Sequence, residues 1–153
     1  MLYDKDIREA LFDFLEEKYH KIRIIEEKNM GSSRADVIAV TEKGLMGIEI
    51  KSDADTYTRL AGQVKDYDRF FDYNSIVVGS THAMKVSEHI PKHWGIISVE
   101  EIGKNIDFYV IREPEDNPNM IIRDKLSLLW RPELAHIQEI NGMFKYKEKS
   151  KKF

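Results

Sequence analysis

Three charged side chains stand inside apolar, strand-like stretches of this sequence. Asp36 lies in "RADVIAV", and Glu49 and Lys51 lie in "LMGIEIK". Because successive side chains of a strand point to opposite faces, Glu49 and Lys51 share one face with Gly47, and the apolar residues of the stretch share the other. Gly47 is expected to leave space beside the two charges, which is useful if a ligand must approach. A buried charge without a partner is costly, so this placement predicts a partner or a chemical function.

Asp36 and Glu49 are expected to converge, because the strands that carry them are joined by the hairpin pattern "TEKG". Two convergent carboxylates suit Mg²⁺, a hard cation that prefers oxygen ligands, and Mn²⁺ can substitute for it. The backbone carbonyl of Ile50 and water molecules would complete the shell. Lys51 can orient or help to deprotonate a water and can offset phosphate charge. The pattern predicts metal-assisted phosphodiester hydrolysis, in which Asp36, Glu49 and Lys51 are catalytic and Ile50 is a further metal ligand.

The bare spacing Glu-x-Lys is weak support, because it occurs three times in the chain. The first occurrence lies on a predicted helix, where residues two apart do not face each other. The second lies at a strand end that runs into a turn. Glu49 and Lys51 form the third, and only they lie inside an apolar strand that follows a strand with an acid. The alternative interpretation is a surface ion pair on an exposed face of the sheet.

A further acid is available on the first predicted strand, "KIRIIEE". Glu26 alternates with Ile22 and Ile24, so we expect it to share their inner face, whereas Glu27 faces outward. From that face Glu26 can reach the metal or Lys51. The sequence leaves open whether Glu26 is a metal ligand.

A polar stripe follows on the next predicted helix. Arg59, Gln63 and Tyr67 recur every four residues and therefore share one helix face. The strand that carries Lys51 leads directly into this helix, so the stripe is expected to flank the site. Glutamine offers a donor and an acceptor, and tyrosine offers a hydroxyl and a stacking ring, both suited to binding nucleic acid. The alternatives are an ordinary solvated helix face, or a Tyr67 that packs under the sheet.

The elements that must position these residues form one α/β unit in the predicted order helix, three strands, helix, strand. Apolar residues at helical spacing predict the first helix over 4–19, and the three strands form a meander. Asp55 is the best-placed N-cap of the second helix, which is predicted from Thr56 to Phe71. A central strand, a short helix, two late strands and two further helices are predicted in "SIVVGS", "MKVSEHI", "WGIISVE", "IDFYVIRE", "IIRDKLSLLW" and "PELAHIQEI".

The composition is that of one globular domain. The chain has 153 residues, of which 42% are hydrophobic and 33% charged, and its formal net charge is −3. This charge argues against wide nonspecific binding to nucleic acid but allows a local basic patch. The absence of cysteine excludes a disulfide framework and a thiolate metal site. No apolar run is long enough to span a bilayer, so we expect no membrane association and a cytoplasmic location.

The ordered pattern resembles the PD-(D/E)xK nuclease superfamily, which has the restriction-endonuclease-like fold. Asp36 matches the acid of that superfamily's second strand, although "RAD" replaces Pro-Asp here. Glu49 and Lys51 match the acid and the lysine of the third strand. Gln63 and Tyr67 match the Gln-x-x-x-Tyr element of RecB-like and phage exonuclease-like branches. The stretch "GIEIKSDADTYTRLAGQVKDY" and the later "IPKHWGII" also look like a small bacterial and phage family of such proteins.

The resemblance covers about residues 5–100 and implies a restriction-endonuclease-like α/β core, with a mixed central sheet flanked by helices. We expect a single domain over 1–153, with C-terminal strands and helices over 101–140 and a basic tail at 145–153. The implied activity is that of a Mg²⁺-dependent DNA nuclease, in which water attacks the phosphodiester bond. The alternative is a non-catalytic DNA-binding or subunit-interaction module of the same fold. The sequence leaves open a protein partner or a homo-oligomer.

Overall fold

The structure, a computed structural model, describes residues 2–129 of the chain. The strands within these residues are β1 Ile22–Met30, β2 Ser33–Thr41, β3 Gly44–Lys51, β4 Tyr73–Gly79, β5 Gly95–Ile102 and β6 Asn105–Arg112. These six strands form one sheet in the order β1-β2-β3-β4-β5-β6. β1, β2 and β3 form an antiparallel meander, β3, β4 and β5 are parallel, and β6 is antiparallel to β5.

The helices of the described residues are α1 Asp4–Lys18, α2 Leu60–Phe70, α3 Ala83–Val86 and α4 Ile122–Leu129. α1 packs on one face of the sheet, and α2 packs with α3 and α4 on the other. The predicted α/β class, the mixed sheet flanked by helices and the order helix, three strands, helix, strand are confirmed. No helix within residues 2–129 is long and apolar enough to cross a membrane. The predicted helix "PELAHIQEI" and the basic tail at 145–153 lie outside the described residues.

β3 has one apolar face and one mixed face, as its alternation predicts. Met46, Ile48 and Ile50 lie in the core that packs against α1. Glu49 and Lys51 point to the face that carries α2. Because β3 lies between β2 and β4 and has helices on both faces, even these charged side chains are buried.

Gly47 leaves no space for a ligand, which corrects the expectation from the sequence. A Cβ atom at this position would lie 2.5 Å from the ring of Phe71 and 2.6 Å from the ring of Tyr67. The missing side chain therefore lets two aromatic rings pack directly on the backbone of β3. This close approach holds α2 against the strand that carries Glu49 and Lys51.

The second helix begins at Leu60 rather than at Thr56, and Asp55 is not its N-cap. The Asp55 carboxylate instead accepts hydrogen bonds from the backbone N–H of Ser52 at 2.8 Å and from its hydroxyl at 3.0 Å. The Asp55 N–H in turn donates to the carbonyl of Ser52. These local bonds close a turn directly after β3, so the chain cannot enter the helix until that turn has ended.

Candidate functional site

An open polar cleft of about 1070 Å³ lies at the carboxyl end of β3, between the β1–β2 turn and α2. The predicted site residues that line it are Asp36, Glu49, Ile50, Lys51, Arg59 and Gln63. The fold therefore brings together side chains from β2, β3 and the start of α2. Of the residues predicted from the sequence, only Glu26 and Tyr67 are not part of its walls.

Glu49 and Lys51 form a buried ion pair at the end of β3. Only 3% of Glu49 and 7% of Lys51 is exposed, and Nζ of Lys51 lies 3.2 Å from Oε2 of Glu49. This burial excludes the alternative of a surface ion pair on an exposed sheet face. Burial, and then the charge of Asp36, raises the pKa of Glu49 to about 7, against the opposing effects of Lys51 and Tyr67. The Glu49 carboxyl group therefore changes its charge near neutral pH.

Asp36 reaches the same end of β3 from the neighbouring strand. Its Oδ2 accepts a hydrogen bond from the backbone N–H of Ile50 at 2.8 Å, next to Glu49 in the chain. Burial raises the pKa of Asp36, and the hydrogen bond from Ile50 opposes this effect. Two neighbouring carboxyl groups that are costly to ionise together form a place where a bound cation is favourable.

Tyr67 is fully buried beneath the cleft, with 0% of its surface exposed. Its hydroxyl lies 2.8 Å from Oε1 of Glu49 and 3.0 Å from the carbonyl oxygen of Ile48, and it accepts a hydrogen bond from the Asp36 N–H. The expectation that Tyr67 contacts nucleic acid is therefore corrected. Its position on α2 faces the sheet, so the side chain positions Glu49 instead, and the alternative of a tyrosine packed against the sheet is the one observed.

Gln63 and Arg59 lie one and two helical turns from Tyr67, toward the open side of the cleft. Oε1 of Gln63 is buried and has no hydrogen-bond partner within residues 2–129. Arg59 is exposed at the cleft rim. Solvent exposure thus increases along the polar stripe, from a buried tyrosine through a half-buried glutamine to an exposed arginine.

Glu26 does not reach the cleft. It pairs in register with Val37, which belongs to the core beneath α1, and its Oε1 lies 3.4 Å from Nη1 of Arg8. The shared face with Ile22 and Ile24 was predicted correctly, but this face meets α1, whereas Glu49 points to the face that carries α2. A strand with both faces covered has two inner faces, and alternation alone does not tell them apart.

Two residues of α1 were missed by sequence reasoning. Asp4 lines the cleft, and Arg8 forms ion pairs with Asp4 at 2.8 Å and with Asp36 at 3.5 Å. The available signal was weak, because an acid and an arginine four residues apart are common on exposed helix faces. Only the packing of α1 on the sheet brings them to Asp36.

The donors in the cleft suit a hard cation. Asp36 and Glu49 offer carboxylate oxygens, and Gln63 offers an amide oxygen that has no partner in the described structure. Within residues 2–129, no group of three or more acidic or histidine side chains has metal-binding geometry. The chain thus offers two carboxylates with neutral oxygens nearby, and Mg²⁺ commonly binds one or two carboxylates and keeps several waters.

Comparison with known proteins identifies the family. The whole chain, residues 1–153, matches the family described as Bacteriophage P4 protein cII. The chain belongs to this family. Protein cII of Enterobacteria phage P4 is 28% identical over 117 residues, which are 74% of this chain and 44% of the phage protein. The chain therefore matches less than half the length of this cII relative.

A solved structure is also similar to this cII-family chain. It is Pyrococcus furiosus SfsA in complex with Ca²⁺, with a TM-score of 0.42 and 15% sequence identity. The similarity covers 72% of this chain and 62% of SfsA.

Proposed function

We propose that this protein is a metal-dependent DNA nuclease of the PD-(D/E)xK type. The observation that carries the proposal is the buried pair of Glu49 and Lys51 in a polar cleft, with Asp36 beside it. Burying a glutamate and a lysine costs free energy, and a structural pair would be replaceable by apolar residues of similar size. A reaction that needs both charges gives a reason for that cost.

The residues that would hold Mg²⁺ are Asp36, Glu49 and the backbone carbonyl of Ile50. When bound, Mg²⁺ polarises a phosphate oxygen and lowers the pKa of a coordinated water. The raised pKa values of Asp36 and Glu49 support this assignment, because a nearby cation favours their charged forms. Tyr67 holds Glu49 from below through its hydroxyl.

Lys51 acts on the water and on the phosphate. Its ammonium group lies beside Glu49 at the cleft wall and carries three donors. It can orient the attacking water and offset negative charge that develops on the phosphate. The unpartnered oxygen of Gln63 can accept a hydrogen bond from a bound water, and its amide nitrogen can donate to a phosphate oxygen.

DNA is the proposed polymer, and the cleft rim supports this choice. Arg34, Arg59 and Lys65 are exposed on the rim, around the buried Glu49 and the half-buried Asp36. Cations that surround an acidic centre can bind the backbone on both sides of one phosphodiester bond. The rim thus offers exposed cations for phosphate contacts, beside the exposed Asp55 that lines the same cleft.

A non-cutting module of the same fold is the second candidate. One observation favours it: the carboxylate oxygens of the site already have protein partners. Asp36 contacts the Ile50 N–H and Arg8, and Glu49 contacts Tyr67 and Lys51. In this case the cleft would bind DNA or another subunit through its rim without hydrolysis.

Cleavage assays separate the two candidates. Wild-type protein is incubated with supercoiled plasmid and with linear DNA, in Mg²⁺, in Mn²⁺ and in excess chelator. We expect cleavage that requires the metal and is lost in Asp36→Asn, while the exposed-site control Asp107→Asn keeps it. DNA binding without cleavage in either metal would reject the nuclease and favour the non-cutting module.

A further inference from the structure

Asp36 lies where regular strand pairing is interrupted on both sides. The β1–β2 register runs through Glu26↔Val37 and resumes at Lys28↔Ala35, so Asp36 has no paired residue on β1. The pairing of β2 with β3 extends only as far as Val37↔Ile48, so the adjacent Asp36 has no paired residue on β3 either. On β1 the residue opposite Asp36 is Glu27, whose φ of 53° is unusual for a side chain other than glycine. The ladders therefore do not fix the backbone at Asp36 as they fix its neighbours.

Side chains from helices on opposite faces of the sheet hold this backbone instead. The Asp36 N–H donates to the hydroxyl of Tyr67, on α2, at 3.1 Å. The Asp36 carbonyl accepts a hydrogen bond at 3.0 Å from Nη1 of Arg8, on α1. Nη2 of Arg8 also lies 3.5 Å from Oδ1 of the Asp36 carboxylate. Arg8 thus contacts both the main chain and the side chain of Asp36.

Arg8 is itself held rigidly. It is largely buried, with 13% of its side chain exposed. Asp4, one turn earlier on α1, accepts from Nε at 2.8 Å and from Nη2 at 3.1 Å. Such a two-bond contact fixes the plane of a guanidinium group, which a lysine ammonium cannot reproduce.

We propose that Arg8 is a positioning residue, which acts from α1 to hold Asp36 in the orientation that the cleft requires. The inference rests on the proposed function, because that function assigns Asp36 to the metal. Of the two carboxylates assigned to the metal, Arg8 contacts Asp36 and not Glu49. Its other ionic partners are Asp4, Glu26 and Glu27.

A simple charge effect predicts the opposite result. Arg8 places a positive charge beside Asp36, and this charge by itself repels a cation in the cleft. If charge were its only effect, removing Arg8 would strengthen metal binding. If Arg8 positions Asp36, removing it weakens metal binding, by about 10- to 100-fold for residues that orient a ligand. Whether removal of Arg8 strengthens or weakens metal binding therefore distinguishes a charge effect from a positioning effect.

The first test needs no metal. Hydrogen exchange of the Ile50 amide, which donates to the Asp36 carboxylate, is measured by NMR in wild type, Arg8→Met and Arg8→Lys. We expect exchange at Ile50 to be at least about tenfold faster in Arg8→Met and less strongly accelerated in Arg8→Lys, with the Ile48 amide as internal reference. The control Lys18→Met removes another ion pair of α1, to Glu113, and should leave Ile50 unchanged.

The second test is Mn²⁺ affinity of the same variants by calorimetry. We expect Arg8→Met to bind Mn²⁺ at least about tenfold more weakly than wild type and Lys18→Met to bind it normally. Unchanged Ile50 exchange, or unchanged or tighter Mn²⁺ binding, in the Arg8 variants overturns the proposal. If Arg8→Met does not fold, the measurements on Arg8→Lys alone decide the proposal. A wild-type protein that binds no Mn²⁺ rejects the metal site, and Ile50 exchange still decides the proposal for Arg8.

Discussion

The hydroxyl of Tyr67 lies 2.8 Å from Oε1 of Glu49, although the two residues stand on different elements and both are buried. The tyrosine ring packs between those of Phe71 and Trp94, at centroid distances of 5.7 and 5.4 Å. Its position is therefore set by the core and not by solvent. This contact joins the aromatic core on α2 to the acid at the end of β3, so the stability of the fold and the geometry of the site are coupled.

Removing only the Tyr67 hydroxyl group should lower the free energy of unfolding and leave the affinity of the folded protein for DNA unchanged. Tyr67→Phe removes the hydrogen-bond partner of the Asp36 N–H and of Oε1 of Glu49, which costs about 1–3 kcal/mol. Tyr67→Ala also creates a cavity, and we expect about 3–5 kcal/mol. Urea denaturation measures both, with Tyr109→Phe, an exposed tyrosine, as control. A silent Tyr67→Phe would show that the hydroxyl contributes nothing.

The free energy of unfolding should fall as pH rises from 5 to 8 in the presence of a chelator. The pKa of Glu49 is about 7 in the folded protein, against an ordinary value of 4.5. Between these values the unfolded chain releases the proton while the folded protein keeps it, so rising pH favours unfolding. The difference between the two pKa values corresponds to about 3 kcal/mol in the free energy of unfolding. Glu49→Gln should remove most of this slope, and equal slopes in both proteins would contradict the assignment to Glu49.

Mg²⁺ should stabilise the wild-type protein and not Asp36→Asn. A ligand that binds only the folded state at 100 times its Kd adds about 2.7 kcal/mol. Without metal, Asp36→Asn should be as stable as wild type or more so, because the repulsion between Asp36 and Glu49 is lost. Thermal melting with and without MgCl₂ tests this, with Asp107→Asn as control. A Mg²⁺ response in Asp36→Asn would place the metal elsewhere.

Lys51→Met should reduce single-turnover DNA cleavage by about a hundredfold or more, the usual scale for a positioned catalytic group. DNA affinity should change little, because Lys51 is buried beside Glu49 and the exposed cations lie on the rim. Lys104→Met, in the exposed β5–β6 turn, is the matched control. Full cleavage by Lys51→Met would make the lysine structural and reject the mechanism.

Arg59→Ala and Lys65→Ala should each weaken DNA binding and lower the salt dependence of the binding constant by about one ion. Gln63→Ala should weaken binding or cleavage without changing that salt dependence, because its side chain is neutral. Fluorescence anisotropy over a range of salt concentrations measures both effects. An unchanged slope in the two cation variants would mean that DNA does not lie along this rim.

Within residues 2–129, local patterns were sufficient to predict the elements and their order. Alternation in "RADVIAV" and "LMGIEIK" identified β2 and β3 and correctly assigned Glu49 and Lys51 to one face, because a strand repeats every two residues whatever surrounds it. The hairpin turn between the strands then brought Asp36 to the same end. The start of α2 was misplaced, because the Asp55 side chain satisfied the Ser52 backbone instead of a helix end.

Only the tertiary structure decided how deep each residue lies and which face of the sheet it serves. Helical spacing grouped Arg59, Gln63 and Tyr67, but the rotation of α2 against the sheet made Tyr67 a buried partner of Glu49 and left Arg59 in solvent. Glu26 lies on the face that it was predicted to share with Ile22 and Ile24, but this face meets α1 and Glu26 does not line the cleft.

Arg8 is a residue whose role the sequence did not indicate, because its contact with Asp36 also depends on tertiary packing. Nothing within one helical turn of Arg8 indicates that it contacts Asp36, which lies 28 positions further along the chain. That contact exists because α1 packs on the strands that carry the site. Periodicity is a property of neighbours in the chain, whereas burial and contacts between elements depend on how those elements pack. This is why most residues that line the cleft were predictable from the sequence but the residues that support them were not.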